Sequence, residues 1–195
     1  MTKAALRQYY QSQRHALSGE EYAARNEQIF QHFREFFLPS QLHRQPFTIH
    51  CFLSSTQKRE VDTTPFIRYF LSQPSVTLVA PYSHMSESRL THHHLTKGTV
   101  LQTNRWGIPE PPLSTPTVAV EQVDWVLVPL LAIDLHGHRV GYGKGFYDRF
   151  LAQCRPDTRK IGLSLDEPTE SIDNVNAHDV ALNYGITPSR VWDFS

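Results

Sequence analysis

The run Arg139-Val-Gly-Tyr-Gly-Lys-Gly145 sets three glycines at every second position around one lysine, and Phe-Tyr-Asp148 follows at once. Glycines let a backbone approach a ligand without Cβ clashes, and the unpaired amides of a helix start attract anions. Phe146, Tyr147, Phe150 and Leu151 recur at helical spacing, so a helix is predicted to begin near Gly145. Lys144 puts a mobile ammonium in the loop, and Asp148 puts a carboxylate on the helix's first turn. A carboxylate beside a phosphate repels it unless a cation lies between, and Mg²⁺ binds carboxylates together with phosphate oxygens. The alternative is a tight turn with a solvated lysine and an aspartate that complements the helix dipole. Spacing alone leaves both open, and the pattern is neither a P-loop nor a dinucleotide fingerprint.

Other chemistry-bearing residues are scattered. Lys3 and Arg7 are four apart, so on a helix they share a face and can grip one anion or simply form a solvated stripe. Glu60 stands in a polar loop after a predicted strand, where α/β sheets bind ligands, although an exposed surface carboxylate is the default for such a position. Trp106 sits in the rigid turn Asn104-Arg-Trp-Gly-Ile-Pro-Glu-Pro111 as a packed hydrophobe or a stacking platform. His92, His93 and His94 are adjacent, and alternate strand residues face opposite ways, so the three cannot converge on one ion. Asp179 offers a second carboxylate, with no support from spacing.

The elements that must position these groups follow from periodicity. Thr2 caps a first helix with Leu6, Tyr9 and Tyr10 on one side. Ser18-Gly-Glu-Glu21 is a capping box opening a second helix. Its predicted buried stripe is Tyr22, Ile29, Phe30, Phe33, Phe36 and Phe37, ending before Pro39. Phe47 to Leu53, a short helix from Thr64-Pro65, and Val76 to Ala80 read as a right-handed βαβ unit. Trp125 to Val128 with Leu130 to Ile133 reads as a strand buried on both faces, Lys160 to Leu165 as another, and Ile186 to Phe194 as a last strand with its return. Ser83 to Thr117 shows the least regular pattern. The expected fold is α/β: one domain over 1–195, a three-layer sandwich with a mixed or mainly parallel sheet and helices on both faces, Rossmann-like.

Composition narrows the class. Nineteen basic residues balance nineteen acidic ones, so no global field recruits nucleic acid or an anionic membrane. No apolar run is long enough to span a bilayer. The polar start and only two cysteines, Cys51 and Cys154, lead to the expectation of a reduced, cytoplasmic protein.

Taken with its flanks, Val128-Pro129, Asp134, Gly137 and Arg139 to Asp148 resemble the signature of the 5-formyltetrahydrofolate cyclo-ligase family. Lys3-Ala-Ala-Leu-Arg7, Phe52-Leu-Ser54 with Glu60-Val-Asp-Thr63, Trp106-Gly-Ile-Pro-Glu-Pro111 and Asn176-Ala-His-Asp179 are similar to the family's other motifs, in order along nearly the whole chain. The resemblance implies an ATP- and Mg²⁺-dependent ligase of one-carbon metabolism, acting on small molecules as a monomer. ATP would phosphorylate the formyl oxygen of 5-formyltetrahydrofolate, N10 would close the ring, and 5,10-methenyltetrahydrofolate, ADP and phosphate would leave. It assigns catalysis to Lys144 and Arg139. ATP would meet Lys3, Arg7, Arg139, Gly141, Gly143, Lys144, Gly145, Phe146 and Tyr147. Folate would meet Arg7, Leu53, Glu60, Trp106, Tyr142, Lys144 and Phe146, and Asp148 with Asp179 would hold the metal. The chain departs from the family at Leu130, where Gly is usual, at Ile133 for Phe, at Phe146 for Tyr and at Val140 for Leu. These departures bear on pocket shape. A non-catalytic folate- or nucleotide-binding relative and a sugar-phosphate enzyme on a similar scaffold are the competing readings.

Overall fold

The computed structural model describes residues 1–41 and 47–195. Helices α1 (Lys3–Ala16) and α2 (Gly19–Gln41) precede β1 (Phe47–His50), α3 (Thr64–Leu71), β2 (Val76–His84), β3 (Arg89–His94), β4 (Gln102–Thr103) and β5 (Pro109–Glu110). Then come β6 (Trp125–Pro129), β7 (Ala132–Ile133), β8 (Arg139–Val140), α4 (Phe146–Leu151), β9 (Arg159–Leu163), β10 (Tyr184–Ile186) and β11 (Val191–Asp193). Seven strands form one sheet in the order β11-β10-β9-β6-β1-β2-β3, parallel inside and antiparallel only at the β2/β3 and β10/β11 edges.

Alternation along β6 builds the layers. Trp125 and Leu127 face the core under α2 and α3, with Ile29, Phe33, Phe37, Phe66 and Phe70. Val126 and Val128 face the opposite core, with Phe150 and Leu151 of α4. Phe33 has Phe37, Phe66, Phe70 and Trp125 around it, its ring centroid 5.3, 5.1, 5.6 and 6.2 Å from theirs. Helix α1 packs Leu6 on the β7–β8 hairpin, against Ala132, Val140 and Ile172.

Local signals behave as their chemistry requires. The Thr2 hydroxyl accepts from the Ala5 amide at 3.3 Å. The Ser18 amide donates to Glu21 at 2.8 Å and the Glu21 amide to the Ser18 hydroxyl at 3.1 Å, a closed capping box. Both cysteines are free thiols.

Several expectations need correction. The apolar run after Trp125 is two strands, because at Leu131 the chain leaves the sheet: the Leu131 amide donates to the Val140 carbonyl at 2.7 Å, and β7 pairs with β8. Residues 83–94 are ordered: β2 continues to His84 and turns into β3, whose polar residues hid the strand pattern. Helix α2 runs through Pro39 to Gln41, and Phe36 is 48% exposed, packed on Phe37 and Tyr184 rather than beneath the helix. Tyr9 is likewise exposed, while Leu6 and the half-buried Tyr10 pack against the hairpin. Helix α4 is just six residues long, so its first amides matter more than any summed dipole.

Candidate active site

The chain after β1 crosses to β2, and the chain after β6 crosses the other way to β9. Loops leaving neighbouring strands in opposite directions open a crevice at the carboxyl ends, the usual ligand position in such sheets. A cavity of about 400 Å³ lies among Leu53 and Glu60 from the loop after β1 and the loop-and-helix segment after β6. That volume suits a small-molecule ligand.

The sequence-predicted residues meet there. Lys3, Arg7, Leu53, Glu60, Trp106, Arg139, Gly141, Tyr142, Gly143, Lys144, Gly145, Phe146, Tyr147, Asp148 and Asp179 all line this cavity, drawn from five separate stretches of chain. The loop glycines differ in purpose. Gly143 and Gly145 have φ of 89° and 66°, left-handed values that favour glycine. Gly141 has open space where a Cβ would sit, so it keeps backbone accessible. The Arg7 guanidinium lies 3.3 Å from a Cβ built on Gly143, and its Nε donates to the Gly141 carbonyl at 2.8 Å. Helix α1 is therefore the wall of the loop.

Two ion pairs cross the cavity floor. Arg139, 8% exposed, donates to Asp148 Oδ1 at 2.5 Å and to the Val180 carbonyl. Burial lowers its pKa, and Asp148 and Asp179 oppose that shift. Lys3 Nζ pairs with Asp179 Oδ2, which also accepts from the Asn176 amide at 2.7 Å. Burial raises the Asp179 carboxyl, but Lys3, the Asn176 amide and Arg139 outweigh it and leave it below the usual range. In both pairs the contacts with the cation use one carboxylate oxygen. Asp148 and Asp179 thus both line the cavity as partly exposed carboxylates, and carboxylate oxygens are hard donors.

The opposite end is drier. Glu60 is 8% exposed, with Oε2 accepting from the Ser55 amide at 2.7 Å. Tyr142 is held protonated by burial and by the charge of Glu60, and Lys58 lies 4.7 Å above its ring. Tyr147 lines the cavity while its hydroxyl is buried without a partner among the described residues, and burial pushes its pKa well up. Lys144 is exposed, with its ammonium 5.4 Å from the Trp106 ring centroid. A cation–π contact of this kind is worth about 0.5–1 kcal/mol at an exposed site, so the lysine is free to move.

A model of the 5-formyltetrahydrofolate cyclo-ligase family matches residues 1–188. The chain belongs to that family. A 5-formyltetrahydrofolate cyclo-ligase of Escherichia coli K12 is 31% identical over 140 residues, covering 69% of this chain and 75% of that one. The Mycolicibacterium smegmatis enzyme of the same name is 39% identical over 88 residues, a match that spans 44% of each protein. The solved 5,10-methenyltetrahydrofolate synthetase of Mycoplasma pneumoniae superposes with a TM-score of 0.73 at 26% identity, covering 96% of this chain and 99% of that one. The Aquifex aeolicus synthetase structure gives the same score and identity, covering 100% of this chain and 93% of that one.

Against the family pattern, Leu130 and Ile133 now have a structural account. A Cβ on Gly162 would lie 2.7 Å from Leu130 Cδ2, and one on Gly185 2.5 Å from Ile133 Cδ1. Each of the two side chains occupies the space above a strand glycine, and neither lines the cavity.

Sequence reasoning missed Arg14, which is 1% exposed and donates to the Leu130 carbonyl at 2.5 Å and to the Tyr142 hydroxyl at 3.3 Å. It stands one heptad after Arg7, so helical spacing placed it on the same stripe. Glu110, in the tryptophan turn, is buried, lines the cavity and accepts from the Ser83 amide at 3.0 Å. Lys58, Ser83, Met85 and Leu90 also line the cavity, and no sequence signal marks them.

Proposed function

We propose that this chain converts 5-formyltetrahydrofolate to 5,10-methenyltetrahydrofolate, consuming ATP and releasing ADP and phosphate. The observation that carries the proposal is the convergence of Lys3, Arg7, Glu60, Trp106, the 139–148 loop and Asp179 on one cavity, in a member of the cyclo-ligase family. A formyl oxygen is a weak nucleophile, so rate must come from alignment and from neutralising charge at the transferred phosphoryl group. Lys144 and the amides of Gly141, Gly143 and Gly145 would take the phosphates, with Lys3, Arg7 and Arg139 around them. Phe146 and Tyr147 complete that wall. Mg²⁺ held by Asp148 and Asp179 would supply further neutralisation of phosphate charge.

At the dry end Glu60 accepts the pterin's N–H donors, while Leu53, Tyr142, Trp106 and Phe146 enclose and stack on the ring. Lys144 and Arg139 are the catalytic pair: the lysine is mobile enough to follow the phosphoryl group, and the arginine is held in place by Asp148 and the Val180 carbonyl. N10 then attacks the activated carbon and phosphate departs. The protein would work as one domain over 1–195 and as a cytoplasmic monomer on small molecules, without nucleic acid or membrane. Consistent with this, charge is balanced and no helix among the described residues is long and apolar enough to cross a membrane.

The test follows methenyl absorbance after 5-formyltetrahydrofolate is added with and without ATP and Mg²⁺. Product is expected only when both are present. Product without ATP would remove the ligase mechanism, and binding without product would leave a non-catalytic folate binder.

A further inference from the structure

The turn between β7 and β8 lies outside the cavity and carries Asp134, His136 and His138, with one donor atom from each within 4.8 Å of the others. The two histidines play no part in the proposed reaction.

Asp134 is 1% exposed, and its Oδ1 accepts from the amides of both His136 and His138, at 3.0 and 2.9 Å. Its Oδ2 accepts from the Ile172 amide at 3.0 Å and lies 3.2 Å from His138 Nδ1. A carboxylate can only accept, so Nδ1 of His138 carries a proton, and in the neutral ring the lone pair then lies on Nε2. This is the second-shell arrangement that orients metal-binding imidazoles: carboxylate to one ring nitrogen, metal on the other.

The turn is also stiff. Gly137 has φ of 78°, and a Cβ there would meet the Leu182 carbonyl oxygen at 2.8 Å and Phe194 Cβ at 3.1 Å. The Gly137 carbonyl accepts from the Leu182 amide at 2.9 Å, so the two histidine backbones are held from both sides. The rings of His136 and His138 lie 6.2 Å apart with planes 31° from parallel, and His136 is exposed. A donor atom of each ring lies within 4.8 Å of the other's, and the exposed His136 ring has room to turn toward an ion beside its neighbour.

We propose that His136 and His138 form a binding site for a divalent transition metal of the Zn²⁺ class, with Asp134 as the positioning residue. Imidazole donors select Zn²⁺, Ni²⁺ or Cu²⁺ over Mg²⁺, so this site is chemically distinct from the Asp148 and Asp179 pair.

The experiment titrates tag-free protein with Zn²⁺ by calorimetry, with excess Mg²⁺ present, and records long-range imidazole ¹⁵N spectra in parallel. One equivalent is expected to bind, with a shift at Nε2 of His138. His136→Ala and His138→Ala should each weaken binding at least ~10-fold, the lower end of what even a second-shell change costs. His136→Ala should leave the melting temperature unchanged, since that side chain is exposed. His94→Ala, in the other histidine run, should leave binding as it is. No binding by the wild type, full binding by His136→Ala, or loss on His94→Ala instead would each overturn the site. None of these readouts depends on folate turnover, so they stand apart from the proposed reaction.

Discussion

Gly143 and Gly145 stand at left-handed angles on the cavity rim, whereas Gly162 and Gly185 lie in parallel strands under Leu130, Leu182 and Ile133. The first pair is glycine for the sake of backbone conformation, the second for the sake of a neighbour's side chain. In one region a Cβ would strain the chain, and in the other it would overlap a packed core. Substitutions in the loop should therefore damage catalysis, and substitutions in the strands should damage stability.

The largest expected effect tests the loop half of that contrast. Lys144→Ala should lower turnover by about 10²–10³-fold, the loss typical of one preorganised group at developing charge. Its melting temperature should stay that of the parent, since Lys144 is exposed. A variant turning over at the parent rate would show that phosphates bind elsewhere.

Next is the strand half. Gly162→Ala should cost about 1–3 kcal/mol by overpacking, because the new methyl would sit 2.5 Å from Leu182 Cδ1 and 2.7 Å from Leu130 Cδ2. Activity per folded molecule should persist. Adding Leu130→Ala should make the pair less destabilising than the sum of the singles, with a coupling above about 0.5 kcal/mol in denaturant titrations. Strict additivity would mean that Leu130 does not fill that space.

Asp148→Asn should shift the Mg²⁺ titration of activity to roughly 10-fold higher concentration while leaving folate affinity alone, an estimate from the modest share one carboxylate has in a Mg²⁺ site. An unmoved metal titration would take Asp148 out of the metal set.

A pH slope tests the packed side. Burial lowers the pKa of His50 well below normal, with His92 adding to it, and burial together with His93 lowers His92 to about 4. Both are neutral when folded and gain protons more easily unfolded. Their contribution is complete above the unfolded pKa of about 6.5 and is lost as pH falls toward 4, at up to about 1.4 kcal/mol per pH unit for each histidine. His92→Leu should flatten the slope between pH 6 and 4 in urea titrations, and an unchanged slope would place the acid sensitivity elsewhere.

Much of this was legible in the sequence because it depends on local rules. Caps at Thr2 and Ser18, the βαβ spacing and the glycine loop declare themselves within a few residues. The cavity was legible as a set of motifs, although only the fold shows that Lys3 and Asp179 meet. What escaped depends on distant partners. Arg14 looks like any surface arginine until the Leu130 carbonyl and Tyr142 lie above it. The strand β3 is hidden because His92 and His93 are both buried, one against Phe150 and one bonded to the Thr115 carbonyl at 2.8 Å. Phe36 continues the helical stripe in spacing and still ends outside the core.

The start of α1 is sewn to the segment that follows Ile172. Thr2 bridges to Asp173, the Asp173 amide donates to the Met1 carbonyl at 3.0 Å, and the Lys3 amide donates to Asn174 Oδ1 at 3.1 Å. Anyone preparing this protein for assay should put an affinity handle at the far terminus, because a peptide fused ahead of this seam would pull on Lys3 and, through it, on Asp179.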